Sequence, residues 1–209
     1  MAARSDGIGP RAGSVATLEG YDLDRSNALS DGVFAIAITL LALGIDVPSS
    51  ETNDLWEALG DTVPEIVSYV IAFGTVAVLW LGHHRLYGQL EQVDGRLMTL
   101  NLIYLGFVAF LPFPSRLLGD FNRQSASVVL FAVTVTCAVA LALLMRLHAR
   151  HVGLLECPSG RDPAAAQAAV VPAVFLASVP IAFVSPAAAQ YAWLSIFPLS
   201  RWLARRTGG

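Results

Sequence analysis

The chain has 209 residues, of which 55% are hydrophobic and only 14% charged, and its mean hydropathy is +0.60. A soluble domain carries about 25% charged residues, so this composition excludes an ordinary soluble globular domain and points to an all-α membrane protein. The net charge of −3 gives no basis for a nucleic-acid partner; the positions of the charges carry more information than their sum.

Residues 1–20 are rich in Gly, Ala and Ser, contain Pro10 and lack apolar periodicity. They read as a disordered N-terminus. Residues 21–206 read as one six-helix transmembrane domain. Its spans are expected at 27–47, 64–86, 97–118, 125–147, 164–184 and 187–204, the last interrupted by Pro198. Each is near the roughly 20 residues a helix needs to cross a bilayer. No signal peptide is expected, because the first apolar run follows Asp22, Asp24 and Arg25 without a cleavage pattern.

The arginines test this count. There are thirteen Arg and no Lys. With six spans and the N-terminus inside, Arg4, Arg11, Arg25, Arg85, Arg96, Arg146, Arg150, Arg161, Arg201, Arg205 and Arg206 fall on the cytoplasmic side. Arg116 and Arg123 fall outside. Cytoplasmic loops carry the basic excess, so both termini are placed in the cytoplasm. Absence of Lys with abundant Ala and Arg fits a GC-rich bacterial genome and hence a bacterial plasma membrane.

The first outer loop holds Asp46, Glu51, Asp54, Glu57, Asp61 and Glu65 without a base. It reads first as a solvated loop, and second as a device that raises the local cation concentration. Cys137 and Cys157 are too few and too separated for a metal site or disulfide framework. The phosphate-cradling G-x-x-x-x-G-K-[ST], the nucleophile elbow G-x-S-x-G, the metal-binding H-E-x-x-H and the Thr-Val-Gly-Tyr-Gly filter of ordinary potassium channels are all missing. The chain therefore reads as neither an enzyme nor a cofactor-dependent protein.

The first span has two faces. Asp31 sits near the start of an otherwise apolar stretch, and an ionised carboxylate there needs a partner or a watery cavity. At 100° per residue, Leu29, Gly32, Ile36, Leu40 and Leu43 form one stripe with Thr39 on its margin, while Asp31 points about 140° away from Ile36. Periodicity alone favours a stripe that faces lipid or a neighbouring helix over one that lines a pore. Partners for Asp31 lie at matching depth. Trp80, His83, His84 and Tyr87 share a face at the end of the second span, and Asn101 lies one turn into the third. Asp31, Arg25, His83 and Asn101 are expected to form one network on the cytoplasmic side. The plainer reading of Trp80, Tyr87 and the two histidines is an interfacial aromatic and polar belt.

Three ordered blocks carry a resemblance. The segment Arg25-x-x-x-Leu29-Ser30-Asp31-Gly-Val-Phe-Ala-Ile resembles the Arg-x-x-x-Phe-Ser-Asp signature of the transmembrane protein 175 family. Trp80-Leu-Gly-His83-His84-Arg-Leu-Tyr is similar to its Trp-x-x-His segment. Asn101-Leu-Ile-Tyr-Leu with Leu111-Pro112-Phe113-Pro114 is similar to its third helix. The resemblance is specific over about residues 25–118 and architectural beyond. It implies six spans per subunit and a homotetramer whose first helices surround a central pore. It also implies potassium as the permeant ion. Carried onto this chain, it places the constriction at Ile36 and Leu43 with Thr39 or Leu40 between them. Arg25, Ser30 and Asp31, with Trp80, His83 and Asn101, would then brace the pore helix. Leu29 departs from the family's usual Phe, so packing behind the helix differs there.

Two other classes are compatible with the residues. A proton- or cation-coupled transporter would use Asp31 and His83 as a relay. An intramembrane enzyme would draw on His83, His84 and Asp31, but adjacent histidines on a regular helix do not easily share one metal.

Overall fold

The computed structural model describes residues 22–48, 54–155 and 170–193. These form helices α1 (Leu23–Ala42), α2 (Leu55–Asp61), α3 (Val63–Tyr87), α4 (Gly95–Phe110), α5 (Pro112–Asp120), α6 (Ser125–Val152), α7 (Val170–Val184) and α8 (Pro186–Trp193). The fold is all-α, as the composition requires. Among the described residues, three stretches are long and apolar enough to cross a membrane: Val63–Tyr87, Gly95–Asp120 and Ser125–Val152. Helix α1 lies outside that set because Asp24, Arg25 and Asp31 interrupt its apolar character.

Aspartates start three of the helices. Asp22 accepts from the backbone of Asp24 and Arg25 at 3.0 and 3.3 Å, Asp54 from Trp56 and Glu57, and Asp94 from Leu97 at 2.7 Å. Each satisfies N–H groups that the helix cannot pair internally. Gly153 ends α6 at φ +75°, where L side chains are strained, while the Leu154 N–H reaches back to the Ala149 carbonyl at 2.8 Å.

The boundaries depart from the expected spans in ways the chemistry explains. Helix α1 stops at Ala42 rather than 47, closed by tight turns at Leu43 and Gly44 before Pro48. The acidic outer loop is not wholly irregular: it contains α2, nucleated by Asp54. The third span is divided at Leu111, because Pro112 and Pro114 cannot donate to the preceding turn. Leu111 nevertheless keeps helical dihedrals (φ −53°, ψ −35°), so α4 and α5 run on as one apolar unit. Residues 1–20 and the parts of the fifth and sixth expected spans at 164–169 and 194–204 lie outside the described residues.

The bundle is organised around α6, which packs on α4 and α7; α1 packs on α3 and α4, and α3 on α5. Phe34, Val76, Leu97, Tyr104, Phe131 and Met145 are fully buried between these helices. Phe131, Phe175 and Trp193 stack where α6, α7 and α8 meet, with ring centroids 4.9–6.0 Å apart, and the Trp193 indole donates to Ser178 Oγ at 2.8 Å. Helices α3 and α5 approach most closely at Gly119, where an added Cβ would lie 3.1 Å from the Glu65 Cα.

At the C-terminal end of α1, Arg116 reaches Asp46 at 3.3 Å and Asp120 at 3.6 Å, and the Asp46 N–H donates to Glu65 at 2.8 Å. Asp46 and Glu65 are thereby used to anchor the end of α1 to α3 and α5.

Candidate functional site

Helix α1 separates two environments along its length. Ser26, Ser30, Phe34, Ala37 and Leu41 are buried at near-helical spacing against α3 and α4. On the other side Leu29, Ile36, Leu40 and Leu43 are exposed, Ile36 by 61% and Leu43 by 72%. Gly32 and Thr39 are exposed with them, and the Thr39 hydroxyl donates to the Ile36 carbonyl at 2.8 Å. The two faces read from periodicity are the two faces of the folded chain.

A chain of hydrogen bonds fixes the buried face. His83 Nε2 donates to Asn101 Oδ1 at 2.9 Å, and Asn101 Nδ2 donates to Ser30 Oγ at 3.1 Å. The Ser30 hydroxyl in turn donates to the Ser26 carbonyl at 2.9 Å, and Ser26 Oγ pairs with the Tyr87 hydroxyl at 3.0 Å. Three helices are thus tied by polar groups that are almost wholly removed from solvent. In such an interior an unmade bond costs more than a made one returns. His83 Nδ1 is the one nitrogen of this hydrogen-bonded series without a partner.

Aromatic rings hold the imidazole in place. His83 lies nearly parallel to Tyr87 at 4.2 Å and to Tyr104 at 5.6 Å, while Phe34 approaches it at 5.7 Å. Tyr104 is itself tethered by its hydroxyl to the Leu79 carbonyl at 3.1 Å. Asp31 has a separate partner: Trp80 Nε1 donates to its Oδ1 at 2.9 Å, and the Trp80 ring stacks on the exposed His84 at 5.2 Å.

The structure brings most of the expected network residues together, with two corrections. Ser30, Asp31, Trp80, His83 and Asn101 all meet at the α1–α3–α4 junction, but the Arg25 side chain does not join them. It is exposed on the first turn of α1, which Asp22 has turned toward the surface. Asp31 also bonds the indole rather than the histidine. Ser26, Phe34 and Tyr104 belong to the site and escaped sequence reasoning; the signal for Ser26 was its position one turn before Ser30.

Among the described residues no three His, Cys, Asp or Glu side chains are grouped to hold a metal. Among the described residues, Ser26, Ser30, Asp31, Trp80, His83 and Asn101 all hydrogen-bond to groups on a neighbouring helix. A helical bundle with one helix polar-locked behind and bare aliphatic in front defines a multi-pass membrane protein of the channel and transporter class.

Comparison with known proteins narrows the class. The model of the family described as the endosomal/lysosomal potassium channel TMEM175 matches residues 25–112. A potassium channel of Streptomyces collinus is 41% identical over 146 residues, covering 68% of this chain and 71% of that protein. The crystal structure of a lysosomal potassium-selective channel TMEM175 homologue from Chamaesiphon minutus matches with a TM-score of 0.73 at 26% identity, covering 90% of this chain and 98% of that one. The bovine endosomal/lysosomal proton channel TMEM175 is 31% identical over 153 residues, covering 65% of this chain and 32% of that protein. The chain belongs to the TMEM175 family.

Proposed function

We propose that this protein is a potassium-preferring cation channel of six spans per subunit, assembled as a homotetramer with four α1 helices around a central pore. The observation that carries the reading is the exposed stripe of α1. Ile36 and Leu43 lie about 10 Å apart along one line of the helix and stand bare in the single chain. The opposite face of the same helix is fixed by hydrogen bonds to α3 and α4.

Four copies of that stripe around an axis make a narrow apolar constriction at Ile36 and Leu43, with Thr39 or Leu40 between them. Such a constriction gates by dewetting, and selectivity follows from its width and the cost of ion dehydration. Ser30, Asp31, Trp80, His83 and Asn101 act behind it by setting the angle of α1. The basic ends of the spans orient both termini toward the cytoplasm of a bacterial cell. The permeant ion is the functional ligand; no cofactor enters the reading.

A coupled transporter relaying protons through Asp31 and His83 is not favoured. Both residues are committed to fixed partners, and the relatives carry the names of channels. The name of the bovine relative supports a second reading, in which protons also permeate.

The test is single-channel current from purified protein in a planar bilayer under a potassium/sodium gradient, with tetramer verified beforehand and Ile36→Asn alongside. Discrete currents reversing toward the potassium potential, and enlarged by the substitution, are expected. A reversal potential that follows an imposed pH gradient instead would favour proton permeation. Silence from both proteins, with saturable pH-coupled flux in vesicles, would replace the channel with a transporter.

A further inference from the structure

A cleft of about 280 Å³ opens between α4 and α6, lined by Arg96, Leu100, Leu144, Leu147, His148 and His151. It is remote in sequence from the α1 stripe and takes no part in the His83 network. Its lining is ordered along the helix axes. Leu144, Leu147, His148 and His151 follow one another at i, i+3, i+4 and i+7 on α6, and Arg96 and Leu100 at i and i+4 on α4. The helices run in opposite directions here, since α4 begins and α6 ends at this edge of the bundle. Arg96 and His151 therefore converge at the helix ends, Leu100, Leu147 and His148 lie about one turn deeper, and Leu144 about two turns deeper. Polar over apolar across roughly 10 Å is the profile of a phospholipid entering from the membrane surface.

The charges in the cleft are not all available. His148 Nε2 donates to Asp94 Oδ2 at 2.7 Å. Burial raises the Asp94 carboxyl, but bonds from the Leu97 N–H and His148, the His148 charge and the Arg96 N–H outweigh it and hold it below its ordinary value. Asp94 thus stays ionised and His148 is occupied. Arg96, exposed and without an ion pair among the described residues, remains to meet an anion, and the exposed His151 offers a ring N–H beside it. Below them Leu144 and Leu147 are exposed apolar side chains on a helix long enough to span the bilayer. Basic pockets between transmembrane helices at a membrane face are suited to lipid head groups.

We propose that this cleft binds an anionic phospholipid, with the phosphate on Arg96 and His151 and an acyl chain along Leu100, Leu144 and Leu147. The lipid would strap α4 to α6 at the end where the Asp94–His148 pair already joins them. This inference needs only the membrane-spanning fold and not the conducted ion.

Native mass spectrometry of the full chain, delipidated and then titrated with phosphatidylglycerol or phosphatidylcholine, tests it. At equal concentration phosphatidylglycerol is expected to occupy the protein at least fivefold more than phosphatidylcholine. The double variant Arg96→Gln, His151→Gln should bring that ratio to within about twofold of one, while Arg85→Gln, outside the cleft, leaves it unchanged. Equal retention of the two lipids by the natural protein would overturn the proposal. So would an unchanged preference in the double variant whose oligomer is intact. Inorganic phosphate at millimolar concentration should not displace the lipid; full displacement would mean a free-anion site in place of a lipid site. Loss of subunit assembly in Leu144→Ser, Leu147→Ser would mean that the cleft is covered by a second copy, and would also overturn it.

Discussion

Asn101 is the side chain on which the α1–α3–α4 junction turns, and Asn101→Leu isolates its contribution. Leucine keeps the branched outline of asparagine but is larger, so no cavity is left behind and any overpacking adds to the loss. Two bonds are lost, to His83 Nε2 and to Ser30 Oγ. Hydrogen bonds between membrane helices average about 0.6 kcal/mol and reach about 1.7, so the bonds themselves amount to roughly 1–2 kcal/mol. Ser30 keeps its bond to the Ser26 carbonyl. His83 keeps nothing, because Nδ1 already lacks a partner. Stranding a buried polar group costs about 1–3 kcal/mol, so the stranded imidazole outweighs the lost bonds. The expected total is about 2–5 kcal/mol. At about 2–4 °C per kcal/mol for a chain of this size, the apparent melting temperature should fall by about 4–20 °C. The assay is thermal unfolding of the full chain in nanodiscs by intrinsic fluorescence at a fixed scan rate. Adding His83→Phe removes the stranded group while keeping a ring between Tyr87 and Tyr104, and should recover at least half of the loss. A fall under about 2 °C for the single variant, or a double variant less stable than the single, would refute the stranding argument.

Asp94→Asn tests an electrostatic contact. The folded carboxyl sits below its ordinary value of 3.8, so its stabilisation is complete above that value and is lost as pH falls through the lower folded one. Melting curves of the natural protein should therefore not weaken through this group between pH 7 and 5, and the variant should flatten the acid limb below about pH 4. Arg116→Gln breaks pairs that are half exposed, and should cost no more than about 1 kcal/mol, less at high salt; a larger loss that ignores salt would contradict surface screening. Gly119→Ala places a methyl group 3.1 Å from Glu65 and 3.2 Å from the Ser68 hydroxyl, and about 1–3 kcal/mol of overpacking is expected. An unchanged melting temperature would mean that α3 and α5 can separate freely. Asp31→Asn keeps a carbonyl acceptor for Trp80 and should weaken assembly more than it changes ion preference. Intact tetramers with altered selectivity would move Asp31 from the brace to the ion path.

The helices were legible where apolar runs were long, because the bilayer fixes their length and leaves few alternatives. Helix α2 was not, since seven residues capped by Asp54 leave no apolar signature. The pairing of His83 with Asn101 followed from depth alone: each polar group on a membrane helix needs a partner at its own level. Arg25 misled because its depth was judged from the start of the apolar run at 27, whereas α1 begins four residues earlier, at Leu23, capped by the exposed Asp22. The Ser26–Tyr87 and Asp94–His148 contacts join residues 61 and 54 positions apart. They depend on the rotation of whole helices, which periodicity does not fix. Sequence divided α1 into two faces, but only packing revealed which face the rest of the chain leaves uncovered.

The bond from Asn101 to Ser30 spans 71 positions of sequence, and that distance sets a timetable for biogenesis. Ribosomes add about 5–20 residues per second, so the acceptor emerges roughly 4–14 s before its donor. Until α3 supplies Trp80 and Tyr87, α1 carries Asp31 and two serines with no companion helix, and Ser30 waits longer still, for Asn101 of α4. The apolar character of α1 is also diluted by charge. Its stable residence in the bilayer must therefore be retroactive, secured in two stages, first by α3 with Trp80 and Tyr87 and then by α4 with Asn101. A nascent chain arrested before residue 95 should leave α1 extractable from the membrane, whereas one arrested after the whole of α4 has emerged should not.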